Sequence, residues 1–128
     1  MANVVITGST RGIGRGLAVE FLKRGHNVVV SSRRQADVDK AVSELSASGP
    51  AKIAGTSCDV TRKADVQALW DFAVAAFGRV DFWINNAGRA TSRYEVHELP
   101  EEMVHTLVDG NFKGSVFGSQ VATSGFRR

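Results

Sequence analysis

The sequence has little cysteine or proline and no long hydrophobic run. It has one cysteine, Cys58, and two prolines among 128 residues. A lone cysteine excludes an internal disulfide and has no paired spacing for zinc. It favours a reducing compartment, for which we expect the cytoplasm. No apolar run reaches the length of a membrane span, and no signal-like segment opens the chain. We therefore expect neither a metal nor a membrane as partner.

Charge of either sign is in modest excess at most. The formal net charge is +3, the aromatic content is 8% and the hydrophobic content is 43%. This balance suits a phosphate-bearing ligand. No basic stripe alternates with aromatic residues, so nucleic-acid binding is not expected. The length and composition are those of a single globular domain, which we expect to cover residues 1–128.

Two kinds of apolar segment alternate along the chain. Short β-branched runs predict strands at 3–7, 27–31, 52–57 and 80–84, and helical spacing separates them. The apolar face predicted for the first helix contains Ile13, Leu17 and Phe21. The last helical stretch starts near Pro100–Glu101 and is predicted to end at Thr123–Gly125, while Gly25, Gly49 and Gly78 are predicted to cap the first three helices. The alternation favours parallel βαβ units over other α/β arrangements of these elements.

The first strand leads into a glycine-rich turn, Thr7-Gly8-Ser9-Thr10-Arg11-Gly12-Ile13-Gly14. Gly8 allows a sharp turn, and Gly12 and Gly14 remove side chains where a backbone approaches a ligand or the sheet. The following helix points its free N–H groups and positive end at that space, which suits a phosphate or pyrophosphate. A tight strand-to-helix connection without a ligand is the structural alternative.

Four features together resemble the short-chain dehydrogenase/reductase family of the classical type. The first is T-G-x-x-x-G-x-G after the first strand, and the second is Asn85-Asn86-Ala87-Gly88 after the fourth. The third is Cys58-Asp59-Val60, similar to the family's adenine-side Asp-Val, and the fourth is Asn111 in the last helical stretch. The resemblance spans about residues 3–122. It implies an α/β Rossmann-like sheet in three layers, with strand order 3-2-1-4, helices on both faces and a ligand at the carboxyl ends of the strands.

The resemblance also implies roles for individual residues. It assigns the pyrophosphate surroundings to Gly8, Gly12 and Gly14, and it counts Ser9, Thr10, Arg11 and Ile13 of the same turn among the cofactor-binding residues. It assigns the adenine to Asp59 and Val60, and the ribose and nicotinamide side to Asn85, Ala87 and Gly88. Asn111 would support a proton relay through water. Two alternatives stay open: Asp59 as a turn or N-cap aspartate, and Asn111 as a polar residue bonded to backbone in a bent helix.

The end of the second strand bears on the choice of nucleotide. An acidic residue there would bind the ribose hydroxyls of NAD and repel a 2′-phosphate. This chain instead reads Ser31-Ser32-Arg33-Arg34, with no acid before Asp37. Arginine grips phosphate bidentately, and the Ser32 hydroxyl and Arg11 can add to the contact. NADP(H) is therefore predicted over NAD(H), with a solvated arginine pair as the alternative.

The family's chemistry requires a Tyr-x-x-x-Lys pair, because a nearby cation must lower the pKa of the tyrosine before it can act as a base. The single tyrosine here, Tyr94, is followed four residues later by Glu98. The pattern therefore stops before the family's fifth strand and its catalytic helix. We expect the cofactor-binding part of an oxidoreductase acting on carbonyls or alcohols, or alternatively a non-catalytic NADP(H)-binding module.

The predicted order leaves the fourth strand at an open edge of the sheet. Open apolar edges favour pairing with a second chain. The fourth helical stretch also carries Phe112, Val116 and Phe117, which we expect to be exposed. The sequence thus predicts a homo-oligomer through this helix and the free sheet edge.

Overall fold

The computed structural model describes residues 1–47, 49–90 and 93–128. Strands and helices alternate through the first two thirds of the chain, and helices follow. The elements are β1 (Asn3–Ile6), α1 (Gly12–Lys23), β2 (Asn27–Val30), α2 (Gln35–Leu45), β3 (Ile53–Gly55), α3 (Lys63–Phe77), β4 (Phe82–Ile84), a 3₁₀ turn (Val96–Glu98), α4 (Glu101–Leu107), a π-helical stretch (Val108–Lys113) and α5 (Gly114–Phe126). Within these ranges, every helix is too short or too polar to cross a bilayer.

The four strands form one parallel sheet in the order β3-β2-β1-β4. The predicted sheet and strand order are therefore confirmed. Each strand is shorter than its predicted run: β1, β2 and β3 end before the run does, because its last residues turn away at the carboxyl edge, whereas β4 begins two residues late. Val5 pairs with Val29 on one side and Trp83 on the other, so β1 lies inside the sheet and β4 at its edge.

Alternate strand residues feed two apolar layers. Val4 and Ile6 pack with α1 and α2, for example against Leu22 and Val38. Val5 points to the opposite face, into a cluster with α3 and α5 that includes Leu69. Strands covered on both faces need apolar side chains on both, which explains their near-continuous apolar sequence.

The last helical stretch is not one helix. A π-helical segment at Val108–Lys113 separates α4 from α5, and α5 continues to Phe126, beyond the predicted end at Thr123–Gly125. A π-segment inserts an extra residue into the helical register and changes which faces come together. The apolar periodicity on either side stays regular, so the sequence pattern did not reveal the break.

Three further expectations need correction. Ile13 is 79% exposed and does not pack in the core, because the first turn of α1 faces the carboxyl edge of the sheet. Gly49 does not cap α2, which already ends at Leu45 with Ser46 as its C-cap. Three apolar residues of the last helical stretch were expected to be exposed, and of these only Phe112 is, with 67% of its surface accessible. Val116 and Phe117 are half-buried, and Phe117 packs against the α3 side of the core.

Candidate functional site

A groove of about 860 Å³ runs along the carboxyl edge of the sheet. The turns after all four strands contribute to its walls, and the segment from α4 to the π-helix closes one end. Eleven of the cofactor-binding residues predicted from sequence line it: Gly8, Thr10, Arg11, Gly12, Ile13, Ser32, Arg33, Asp59, Val60, Ala87 and Gly88, together with Asn111. The sequence motifs thus converge in one groove although they lie far apart in the chain.

The first turn of α1 presents its backbone to this groove. Arg11 occupies the N-cap position, and no side chain caps the helix. The first N–H groups of a helix have no partner inside it, so those of α1 remain available to a ligand. Gly12 has a φ of +60°, and a Cβ built on it would meet nothing within 4 Å. The groove side of this turn is therefore open space bounded by amide donors, which suits a phosphate.

Gly8 and Gly14 serve close packing in this turn. A Cβ on Gly8 would come 2.7 Å from the Cα of Ala87. A Cβ on Gly14 would collide with the side-chain amide of Asn86 and lie 2.5 Å from the Gly8 carbonyl oxygen. Gly14 itself does not line the groove. Its missing side chain instead lets the turn after β1 press against the turn after β4.

Ser9 lies at the bottom of the turn and does not line the groove. It is fully buried, and its hydroxyl donates to the Ile6 carbonyl at 2.6 Å and accepts from the Ser31 N–H at 3.0 Å. The Ser9 N–H donates to the Ser31 carbonyl at 2.8 Å. Ser9 therefore joins the turns after β1 and β2 and fixes the shape of the floor.

Asn85 and Arg34 also point elsewhere. The Asn85 side chain accepts from the Trp83 indole N–H at 2.8 Å and donates to the Ser119 hydroxyl at 3.1 Å, which ties the end of β4 to α5. Arg34 is the N-cap of α2, and its carbonyl accepts from the Asp37 and Val38 N–H groups. Both residues shape elements that border the groove without forming its wall.

Asn86 received no role from sequence, yet its contacts bind two walls of the groove together. Its Nδ2 donates to the Thr7 carbonyl at 3.1 Å and to the Gly8 carbonyl at 3.0 Å. In return, the Thr7 hydroxyl accepts from the Asn86 and Ala87 N–H groups, each at 3.0 Å. Residues nearly 80 positions apart are thus held in a reciprocal set of bonds, a relation that local sequence does not carry.

Asp59 forms the turn that was its structural alternative, while its contact with adenine stays a prediction. The Thr61 hydroxyl donates to its Oδ1 at 2.6 Å and the Thr61 N–H at 3.0 Å, so Asp59 makes an aspartate turn before α3. The Thr61 hydroxyl bond holds the pKa of this carboxyl below its usual value, and the charges of Arg33 and Arg62 act the same way against partial burial. Asp59 is therefore ionised at neutral pH and also faces the groove.

Cys58 lies beside Asp59 and is almost completely buried. Burial raises the pKa of its thiol to about 12, and the negative charges of Asp65 and Asp59 act in the same direction. The group stays a neutral thiol at physiological pH. Because a thiolate is the nucleophilic form of cysteine, Cys58 is a packing residue of the groove floor.

The Asn111 side chain is bonded to backbone, as its structural alternative predicted. Its Oδ1 accepts from the Arg89 N–H at 2.9 Å, and its Nδ2 donates to the carbonyls of Arg89 at 2.9 Å and Leu107 at 3.0 Å. The missing side chain of Gly88 makes this approach possible, since a Cβ there would lie 2.6 Å from Asn111 Oδ1. Asn111 is thus a positioning residue that joins the π-helical stretch to the turn after β4.

The parallel sheet, the glycine turn at the start of α1 and the groove at the strand ends define a dinucleotide-binding α/β protein of the Rossmann type. The chain belongs to the short chain dehydrogenase family, whose profile matches residues 2–127. The resemblance found in the sequence is therefore confirmed.

Comparison with known proteins supports this membership. The chain is 40% identical over 130 residues to the probable chlorophyll(ide) b reductase NYC1, chloroplastic, of Arabidopsis thaliana; the match covers 89% of this chain and 26% of that protein. It is similar in structure to a 3-ketoacyl-(acyl-carrier-protein) reductase from Brucella melitensis complexed with NADH. The identity is 27%, the TM-score is 0.90, and the match covers 98% of this chain and 50% of that chain. It is also similar to an alcohol dehydrogenase from Thermococcus sibiricus complexed with 5-hydroxy-NADP. The identity is 26%, the TM-score is 0.90, and the match covers 100% of this chain and 54% of that chain. The chain thus spans about a quarter to a half of these relatives.

Proposed function

We propose that this chain is the cofactor-binding part of an NADP(H)-linked oxidoreductase that reduces a carbonyl group or oxidises the corresponding alcohol. The observation that carries the proposal is the uncapped start of α1 at an open Gly12, with Arg33 in the same groove. Backbone amides and the helix dipole stabilise a diphosphate there without any side-chain cation. When bound, the reduced nicotinamide supplies a hydride.

The remaining wall residues follow the long axis of a dinucleotide. Asp59 and Val60 lie at the end of β3 and would hold the adenine, using the carboxylate oxygen that Thr61 leaves accessible. Ala87 and Gly88 lie at the end of β4 and would contact the ribose and nicotinamide side through a backbone without bulky side chains. We propose these contacts from placement in the groove together with the family resemblance.

A 2′-phosphate would lie between the ends of β1 and β2. Ser32 and Arg33 line the groove after β2, and Arg11 lines it from the glycine turn. Arg33 is exposed, which leaves its guanidinium able to grip a phosphate bidentately. Relatives are known with NADH and with a modified NADP. The preference for NADP(H) therefore rests on the two arginines.

Replacing Arg33 tests this preference. We expect Arg33→Ala to weaken NADPH binding about 10-fold or more and NADH binding less than about 3-fold, because only NADPH carries the phosphate that needs a charge-assisted partner. The measurement is calorimetric titration of the chain with each cofactor.

Arg34→Ala is the matched control, since Arg34 neighbours Arg33 but does not line the groove. It is expected to leave both affinities within about 2-fold. An equal loss of NADPH and NADH affinity in Arg33→Ala would remove the assignment of Arg33 to the 2′-phosphate.

A non-catalytic binding module is the second candidate, and the sequence around Tyr94 favours it. Tyr94 is the single tyrosine and has glutamate, not lysine, four residues later. Loss of NADPH absorbance with a panel of aldehydes and ketones distinguishes the two candidates. Turnover that disappears in Tyr94→Phe would indicate catalysis by this chain, whereas binding without turnover would support the module. In a catalytic protein, Asn111 would act by positioning the turn after β4 beside a relay.

The exposed apolar side chains near the sheet edge support self-association. Phe82 on the edge strand is 57% exposed, and Phe112 is 67% exposed. We propose a homo-oligomer that buries both, because paired strand edges and covered aromatic rings remove apolar surface from water. Size-exclusion chromatography with light scattering is expected to give at least a dimer at tens of micromolar. A monomer at that concentration would contradict the proposal.

The compartment remains a prediction. The lone cysteine favours a reducing one, for which we propose the cytoplasm, while the Arabidopsis thaliana relative is named as chloroplastic.

A further inference from the structure

Arg89 follows the turn after β4 and lines the groove on the side of β4, the edge strand opposite β3. Its backbone is held on both sides by one residue: the N–H donates to Asn111 Oδ1 at 2.9 Å, and the carbonyl accepts from Asn111 Nδ2 at 2.9 Å. Two bonds to one planar amide fix the direction of the peptide at this position. The side chain therefore starts from a defined point on the wall.

The stem of Arg89 lies across the backbone of Gly110. A Cβ built on Gly110 would come within 3.1 to 3.6 Å of the Cβ, Cγ and Cδ atoms of Arg89. Because Gly110 has no side chain, the methylene groups of Arg89 can pack directly against its backbone. Its wall neighbours are uncharged: Ala90, Met103, Thr106 and Gly110.

Among the residues that the structure describes, no carboxylate forms an ion pair with this cation. All 13 acidic residues fall in the described ranges, and none of them lies within 4.0 Å of the Arg89 guanidinium. The nearby carboxylate of Asp109 is paired instead with Lys113 at 2.8 Å. Arg89 thus has a fixed backbone, a packed side-chain stem and no acidic partner among the described residues. Such an arginine is well suited to bind an anionic ligand.

We propose that Arg89 binds an oxyanion on the substrate, so that the substrate class is carbonyl compounds bearing a carboxylate or phosphate. This rests on the proposed function, which puts the nicotinamide beside Ala87 and Gly88. The cofactor's own phosphates have other partners, at the start of α1 and beside Arg33. Strands lie about 4.8 Å apart, so the end of β4 is two strand spacings, or about 10 Å, from the end of β2.

The test uses two probes with the same aldehyde ring, one carrying a carboxylate and the other its uncharged methyl ester. The chain is saturated with NADP⁺ and titrated calorimetrically with 4-formylbenzoate and with methyl 4-formylbenzoate. We expect the carboxylate to bind about 10-fold tighter than the ester, since a charge-assisted bidentate pair is lost in the ester. Arg89→Gln is expected to abolish this difference, and Arg89→Lys to keep part of it.

Arg93→Gln is the matched control, because Arg93 is a second exposed arginine four residues away that does not line the groove. It is expected to keep the full preference for the carboxylate. If the unchanged chain, loaded with NADP⁺, binds the two probes equally, the role of Arg89 is overturned and the proposed function is not. Weaker NADPH binding in Arg89→Gln would also overturn this role, by assigning the cation to the cofactor. Failure of the unchanged chain to bind NADPH would instead overturn the proposed function.

Discussion

Gly12→Asp is expected to abolish NADPH binding while leaving the chain folded. A side chain at this position meets no protein atom within 4 Å, so it projects into the groove where the diphosphate is proposed to lie. A carboxylate there would occupy the anion's place and repel it at short range in a partly enclosed space. We expect a loss of about 100-fold or more in affinity, measured by calorimetry with NADPH.

Gly25→Asp separates this effect from backbone strain. Gly25 also has a positive φ, +85°, and also has open space around it, but it precedes β2 at the opposite edge of the sheet. Both substitutions put a carboxylate on a left-handed residue at a similar cost of about 1 to 2 kcal/mol. We expect similar drops in Tm but normal NADPH affinity in Gly25→Asp. Equal affinities in the two variants would mean that the diphosphate is not cradled at Gly12.

The parts of this fold that the sequence could predict are those whose causes are local or periodic. Continuous apolar runs predicted four buried strands, and the glycines at 8, 12 and 14 predicted a turn in which backbone replaces side chains. Parallel βαβ connections then restrict the possible strand orders. The family resemblance selected the order that the structure shows.

The errors arose where tertiary contacts decide a residue's environment. Ile13 has helical spacing with Leu17, yet it belongs to the first turn of α1, whose outer side faces the groove. Ser9 and Ser32 are chemically alike and each follows a strand. Only the fold reveals that Ser9 is bonded between two turns while Ser32 lines the groove.

Asn85 and Asn86 illustrate the same limit in adjacent residues. Sequence reasoning placed Asn85 at the ligand and gave Asn86 no role, but the peptide direction at the end of β4 turns Asn85 toward α5 and Asn86 toward the glycine turn. Which side a polar residue faces depends on the strand's last ladder bond. A shift of one position at a strand end exchanges the two sides.

Asn86→Asp is therefore expected to be among the most damaging single substitutions in the groove region. It removes both amide donors and puts a carboxylate against the carbonyl oxygens of Thr7 and Gly8, which now accept at 3.1 and 3.0 Å. Leaving two half-buried acceptors unpaired beside a charge costs about 2 to 4 kcal/mol of unfolding free energy. Urea denaturation followed by the fluorescence of Trp70 and Trp83 measures the loss.

Asn85→Asp is the chemically identical control one residue away. Asn85 is exposed, and after the change its side chain still accepts from the Trp83 indole N–H. It loses only its bonds to the Ser119 hydroxyl and the Ser115 carbonyl. We therefore expect the free energy of unfolding to fall by less than about 1 kcal/mol. The stability gap between the variants is expected to narrow as the pH falls, since protonating the carboxyl introduced at position 86 neutralises it and restores one donor. A carboxyl whose neutral form the fold prefers has a raised pKa, so its destabilisation is greatest above that pKa. A gap that is absent at neutral pH would show that Asn86 does not hold the two turns together.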